Sequence, residues 1–253
     1  MLEHVDGRAC LHMPTSIEGK KMKQVSPENM SLAWFKLAEF VTRGEKERAL
    51  GLYRLLAHSI QDEAVVAQLE GDLFSAFNDE RALDSFRKAG RAYLQQGKVM
   101  QAILTYEYLC ELADRADDVL MILVDLYKKR EDEKKVLGTV QRILLSLIAQ
   151  ERFTDAHDML VHTALPGVQA AEFHEQLALA LLSSKYGKSE QANVQYHIAA
   201  ALDGYFFDVN QPRSRDRVAH LLSTVAALDN SAHTYACDRV KTAQMDCTKE
   251  CAL

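Results

Sequence analysis

Proline is nearly missing from this chain. Only four occur, Pro14, Pro27, Pro166 and Pro212, and none lies between Glu28 and Leu165. A sheet protein of this length needs many turns, and proline is a common way to make them. A proline-free stretch of that extent points instead to helix joined to helix. No segment shows the period-two alternation of a half-buried strand. No apolar run approaches the roughly 20 residues needed to span a bilayer, and the opening MLEHVDGRACLHMPTSIEGKKMK holds no continuous apolar segment of the kind a secretory signal uses.

Chemical motifs are scarce as well. The eleven glycines never fall as Gly-x-Gly, which removes the common phosphate-cradling loops. Gly187-Lys188-Ser189 imitates the end of a P-loop, but Leu182 stands where the first glycine belongs. His-Glu-x-x-His is absent. His157 and His162 are five apart, so they sit about 140° apart around a helix and do not share a face. His174-Glu175 has no second histidine in register. The five cysteines, Cys10, Cys110, Cys237, Cys247 and Cys251, are odd in number and scattered, which is no disulfide framework. Cys247-x3-Cys251 places two thiols on one helical face with His233 and Cys237 upstream. A zinc site usually takes four ligands from such pairs, so free thiols on a tail are the expectation. No motif fixes a nucleophile on a sharp turn. No cofactor, metal or catalytic residue is expected, and the chain reads as reduced and cytoplasmic. A formal charge of −6 removes a general nucleic-acid footprint.

What is present is helical periodicity. Residues 1–25 are polar and without period, a flexible leader. Ser26-Pro27-Glu28 is a helix start: a cap, proline at the first helical position, and a carboxylate in the first turn. Steps of three and four then predict helices near 28–43, 46–59, 63–77, 79–96, 98–113, 117–130, 132–149, 152–163, 168–186, 188–203, 214–228 and 231–245. The strongest pair surrounds Gln96-Gly97. Ala82, Leu83, Phe86, Ala89, Gly90, Tyr93 and Leu94 lie before the break. Val99, Ala102, Ile103, Tyr106, Leu109 and Cys110 lie after it. The two last helices carry one stripe each, Val218, Leu221, Leu222, Val225 and Leu228, then Tyr235, Ala236 and Val240.

The pattern Gly-x4-Ala-x3-Tyr occurs three times, at Gly44/Ala49/Tyr53, Gly97/Ala102/Tyr106 and Gly187/Ala192/Tyr196. Looser copies centre on Ala82/Phe86, Val136/Val140 and Ala156/Leu160. The glycine makes a tight turn, the alanine lets two helices cross closely, and the aromatic fills the space one turn on. Ala89-Gly90-x2-Tyr93-x3-Gly97-x4-Ala102-x3-Tyr106, and more loosely Ala33-x3-Leu37-x2-Phe40-x3-Gly44, resemble the tetratricopeptide repeat (TPR). The resemblance implies an all-α fold, an α-solenoid of antiparallel hairpins wound as a right-handed superhelix. It covers about 30–203 and organises the chain into a leader (1–25), a repeat domain (26–203), a connector with capping helices (204–245) and a tail (246–253). The small positions at 49, 82, 102, 136, 156 and 192 are spaced by 33, 20, 34, 20 and 36 residues, whereas a regular array steps by about 34. More polar loops follow every third helix, around His58–Glu63, Asp114–Asp118 and Thr163–Gln169. The unit therefore has either two helices, with some serving two neighbours, or three.

In proteins of this family the first helix of each pair lines a concave groove that holds a peptide or partner helix. Carried over residue by residue, Arg87, Arg91 and Gln95 would enter it from helix 79–96, and Asp125, Lys128 and Lys129 from helix 117–130. A basic stripe in an acidic protein suits an acidic or carboxylate-ended segment, whereas a solvated face with pairs such as Asp84 and Lys88 explains the same residues. The asparagines of the family's carboxylate clamp are not at these places. The implied function is a non-enzymatic adaptor for a protein or peptide partner. A chaperone for secreted bacterial proteins and an enzyme on a helical scaffold stay open as alternatives, as does oligomeric state. Two aromatic features have two explanations each. Trp34-Phe35 is either one core and one edge residue or a partner contact. Tyr205-Phe206-Phe207, in the connector, plugs a groove of this chain or of a partner.

Overall fold

The computed structural model describes residues 27–113, 116–165, 167–206, 212–243 and 251, with side chains from 31 and, after the break at 207–211, from 215. The leader, Asp114, Phe207, Cys10, Cys247 and the tail other than Cys251 lie outside the described residues. Among those described there are twelve α-helices and no strand. The chain divides into two units, 1–130 and 131–253.

The first unit holds α1 (Pro27–Thr42), α2 (Lys46–Ala57), α3 (Glu63–Ala76), α4 (Arg81–Gln95), α5 (Val99–Leu112) and α6 (Asp117–Lys129), each packed on the next. Small residues meet aromatics where helices cross. A Cβ on Gly71 of α3 would stand 2.7 Å from the Phe86 ring of α4, and one on Gly90 of α4 would stand 2.3 Å from the Tyr106 ring of α5. Phe86 and Tyr106 are buried, as are Ala49, Tyr53, Ala82 and Ala102, so the small-then-aromatic repeat holds through this unit. Trp34 is half-buried and Phe35 is exposed, as adjacent residues on one helix must be.

Polar groups fasten the turns of this unit. Asp62 caps α3, accepting from the amides of Ala64 (3.0 Å) and Val65 (3.4 Å). It also accepts from Gln96 (2.9 Å) and Lys98 (2.5 Å) in the α4–α5 turn. Burial raises its carboxyl, but the Lys98, Gln96 and Val65 hydrogen bonds outweigh that and hold it below the usual range. Asp79, before α4, accepts from Arg81 and from Lys46 (2.8 Å), tying the α3–α4 turn to the start of α2. Tyrosine hydroxyls add links: Tyr53 donates to the Val66 carbonyl (2.9 Å), Tyr93 to Gln68 (2.6 Å) and Tyr127 to Glu107 (2.5 Å).

The second unit holds α7 (Glu133–Ala149), α8 (Phe153–Thr163), α9 (Gly167–Ser183), α10 (Gln191–Phe206), α11 (Pro212–Leu228) and α12 (Asn230–Thr242). Here helices touch their second neighbours too: α7 packs on α9, α9 on α11, and α10 on α12. Val136/Val140 and Ala156/Leu160 are buried. Of the two terminal stripes, Val218, Leu221, Leu222, Val225, Ala236 and Val240 are buried, whereas Leu228 is exposed.

Two expectations fail in this unit. The third repeat copy is not one: Ala192 and Tyr196 face solvent, and Gly187 has no left-handed backbone. A seven-residue turn, 184–190, sets α10 two residues out of frame, and its small-then-large pair is Val194/Ile198. Nor is Tyr205-Phe206 in a connector. Helix α10 runs on through Phe206, and Tyr205, seven residues after Ile198 and four after Ala201, lies on its buried face.

The tight turns share one backbone motif. The amide three residues past the helix returns to a carbonyl five residues earlier at Glu45→Phe40 (2.8 Å), Asp79→Phe74, Lys98→Tyr93 and Arg152→Leu147 (2.9 Å each). The residue between is left-handed in each: Gly44, Asn78, Gly97 and Glu151. This is the Schellman closure, and glycine performs it without strain. Glu151→Gly is therefore expected to raise stability by about 1 kcal/mol, seen as a higher thermal midpoint. The Glu151–Lys185 pair it gives up (3.3 Å) is exposed on both sides and contributes little.

Candidate partner-binding face

On α4 the sequence Leu83, Arg87, Arg91, Leu94/Gln95 forms one stripe, by steps of about four. On α6 the matching stripe is Asp118, Met121/Ile122, Asp125, Lys128/Lys129. The guanidinium of Arg87 reaches Asp118 at 3.3 Å, which brings the two stripes into contact at the start of α6. Arg91 donates from Nε to the Arg87 carbonyl at 3.2 Å and lies along its own helix. Arg91, Gln95, Asp125, Lys128 and Lys129 are exposed, and Leu83, Leu94, Met121 and Ile122 are half-buried between them.

The face is thus an apolar floor with charges above it. The Asp118 carboxylate, which sequence reasoning left out, occupies Arg87. With Asp125 it places two anions among four cations, so the face is milder in charge than Arg87, Arg91, Lys128 and Lys129 suggest alone. The Asp118 carboxylate of the pair is exposed and Arg87 half-buried, and a pair open to solvent on one side contributes about 1 kcal/mol or less. An incoming carboxylate can exchange with Asp118 at little cost.

A second cluster, in the second unit, escaped the sequence altogether. His157 of α8, His174 of α9 and His197 of α10 form a chain: His157 Nδ1 is 3.0 Å from His197 Nε2, and His174 Nδ1 is 2.7 Å from His197 Nδ1. His197 is fully buried. Tyr196 stands edge-on to His157 and His197 with ring centres 5.2 Å apart, and to His174 at 6.1 Å. Burial first, then the neighbouring imidazoles, depress the basicity of His174 to about 4 and of His197 to about 3. Both nitrogens of His197 are engaged, one necessarily as donor and the other as acceptor. It therefore has no lone pair left for an external substrate. Its neighbours take opposite nitrogens, so the three do not converge on one ion. No group of three or more His, Cys, Asp or Glu among the described residues is placed to hold a metal.

Two other polar groups are buried here. Tyr205 donates to the carboxylate of Glu175, and burial, then this contact, raise the phenol well above its ordinary range. Cys237 lies 3.4 Å from His233 Nε2, and burial, then the Cys251 thiol, push it up to about 12. A thiol so raised is a poor nucleophile.

No protein-family model matches the chain, and no curated protein matches it. No helix among the described residues is long and apolar enough to cross a membrane.

Proposed function

We propose that the chain is a TPR-like protein-interaction adaptor, each unit a stretch of α-solenoid, with the α4–α6 face holding an acidic segment of a protein partner. Support for the architecture comes from the recurring Schellman turns, from glycine–aromatic crossings at Gly71/Phe86 and Gly90/Tyr106, and from second-neighbour packing in the second unit. The observation that carries the function is the Arg87–Asp118 contact. It brings the α4 and α6 stripes into contact, and it is itself an instance of the carboxylate contact a partner would make. Arg91, Lys128 and Lys129 would bind further carboxylates, Gln95 would donate to a backbone carbonyl, and Asp125 would exclude strongly acidic runs at one register. Cytoplasmic residence belongs to this proposal.

Reversing the charge of Arg87, Arg91, Lys128 and Lys129 together is expected to abolish capture of a partner from lysate. The circular dichroism of the variant should stay that of wild type, because the residues are exposed or half-exposed. Wild-type capture should weaken as salt rises. Equal capture by both proteins would move the site off this face.

A further inference from the structure

Helix α5 buries Ala102, Ile103, Tyr106, Leu109 and Cys110, and its opposite face is apolar as well. Met100, Leu104, Tyr108 and Leu112 step by four along it and are 46, 58, 37 and 41 % exposed. Single exposed leucines need no explanation, but an unbroken row over three turns, about 18 Å long, does. The row is held rigid at its middle: the Tyr108 ring meets Phe86 edge-on at 5.1 Å, and its hydroxyl is 3.3 Å from that of Ser75. The two ends differ in charge. The Arg130 guanidinium rests on the Met100 sulfur at one end, and Glu111 stands exposed beside Leu112 at the other.

We propose that this face pairs with the same face of a second copy of the chain. The two α5 helices would lie antiparallel about a two-fold axis passing between Leu104 and Tyr108. The charges select this occupant. Antiparallel pairing brings Arg130 of each copy to Glu111 of the other, twice by symmetry, and sets Leu104 against Tyr108. Parallel pairing would stack arginine on arginine and glutamate on glutamate. Tyr108, already fixed, is the anchor, since a rigid aromatic loses little freedom on binding. Four side chains make a narrower interface than the roughly 800 Å² per partner of a standard complex, so the dimer dissociates on dilution. The residues differ from those of the α4–α6 face, and the inference does not rest on that proposal.

Sedimentation equilibrium of the full chain, from low to several hundred micromolar, tests it. Wild type is expected to pass from monomer to dimer over that range, and Leu104→Glu to stay monomeric with unchanged helical content. Arg130→Glu and Glu111→Arg should each weaken the dimer at least tenfold, and the double exchange should restore it to within a few-fold. A wild type that is monomeric throughout, or a dimer untouched by Leu104→Glu, would overturn the proposal. Failure of the double exchange to recover the loss would overturn the antiparallel register.

Discussion

Lowering the pH from about 7 to about 4 is expected to destabilise the second unit steeply, before the first is affected. His174 and His197 are held near 4 and 3 in the fold, against roughly 6.5 for a solvated imidazole. The unfolded chain therefore binds more protons than the folded one throughout this window, and stability rises with pH across it. Above about pH 6.5 both states are neutral and the cluster carries no penalty. Below that, each group costs about 1.4 kcal/mol per pH unit until its folded value is reached. Over two units, the pair together costs about 5 kcal/mol, which equals the whole stability of a marginal domain.

The surroundings offer no relief. The titratable groups facing His197 are His157 from α8, His174 from α9 and Tyr196 from its own helix, so an imidazolium there meets two imidazoles and an edge-on phenol ring, and no carboxylate among them. Glu175, next to His174, is turned to Tyr205, and His233 of α12 to Cys237. The first unit behaves differently. Asp62 and Asp79 have lowered carboxyls, so what they contribute is present above pH 3.8 and is lost only as pH falls below it. Two acid transitions are expected in circular dichroism, the earlier belonging to residues 131–253. In His174→Gln/His197→Gln the slope of stability between pH 6.5 and 4 should flatten, whatever the variant's stability at pH 7. An unchanged slope would place the acid sensitivity elsewhere.

These two clusters show what a sequence of this kind discloses. Helix positions follow from apolar spacing over ten or more residues, and all twelve helices lie within a few residues of where spacing puts them. Turns made by Gly44 and Gly97 were legible because glycine is the usual left-handed residue. The same turns at Asn78 and Glu151 were not, because no glycine marks the left-handed residue there. The aromatic at 196 was misplaced because one longer turn moves every later residue around the helix, and nothing in Gly187-x4-Ala192-x3-Tyr196 discloses that turn's length. The histidine chain was invisible for a different reason. Its members come from three helices, 17 and 23 residues apart, and no one helix period links them. The Arg87–Asp118 contact was half legible: the repeat placed α4 and α6 as neighbours, but only the side-chain geometry pairs this arginine with that carboxylate.

Gly90→Ala is expected to be the most damaging of the small substitutions in the first unit, although alanine favours helix over glycine by about 1 kcal/mol. The added methyl would lie 2.3 Å from Cε1 and 2.5 Å from Cζ of Tyr106. That ring is 1 % exposed and stands in the wall between α4 and α5, so it cannot swing away as a lysine tip could. Either the ring leaves its rotamer or the two helices separate, and overpacking of this sort costs about 1–3 kcal/mol or more. A net loss of about 2 kcal/mol is expected in urea unfolding. Gly51 of α2 and Gly138 of α7 have nothing within 4 Å of the same methyl, so alanine there should stabilise by about 1 kcal/mol. Opposite signs for one substitution at three helical glycines separate crowding from propensity. Tyr106→Leu supplies the remaining check, because it opens the space that the Gly90 methyl needs. On its own it should cost a few kcal/mol for the lost ring. In the Gly90→Ala background it should cost less, by a coupling of about 1–2 kcal/mol. Additive losses would mean that the two helices do not cross at this pair.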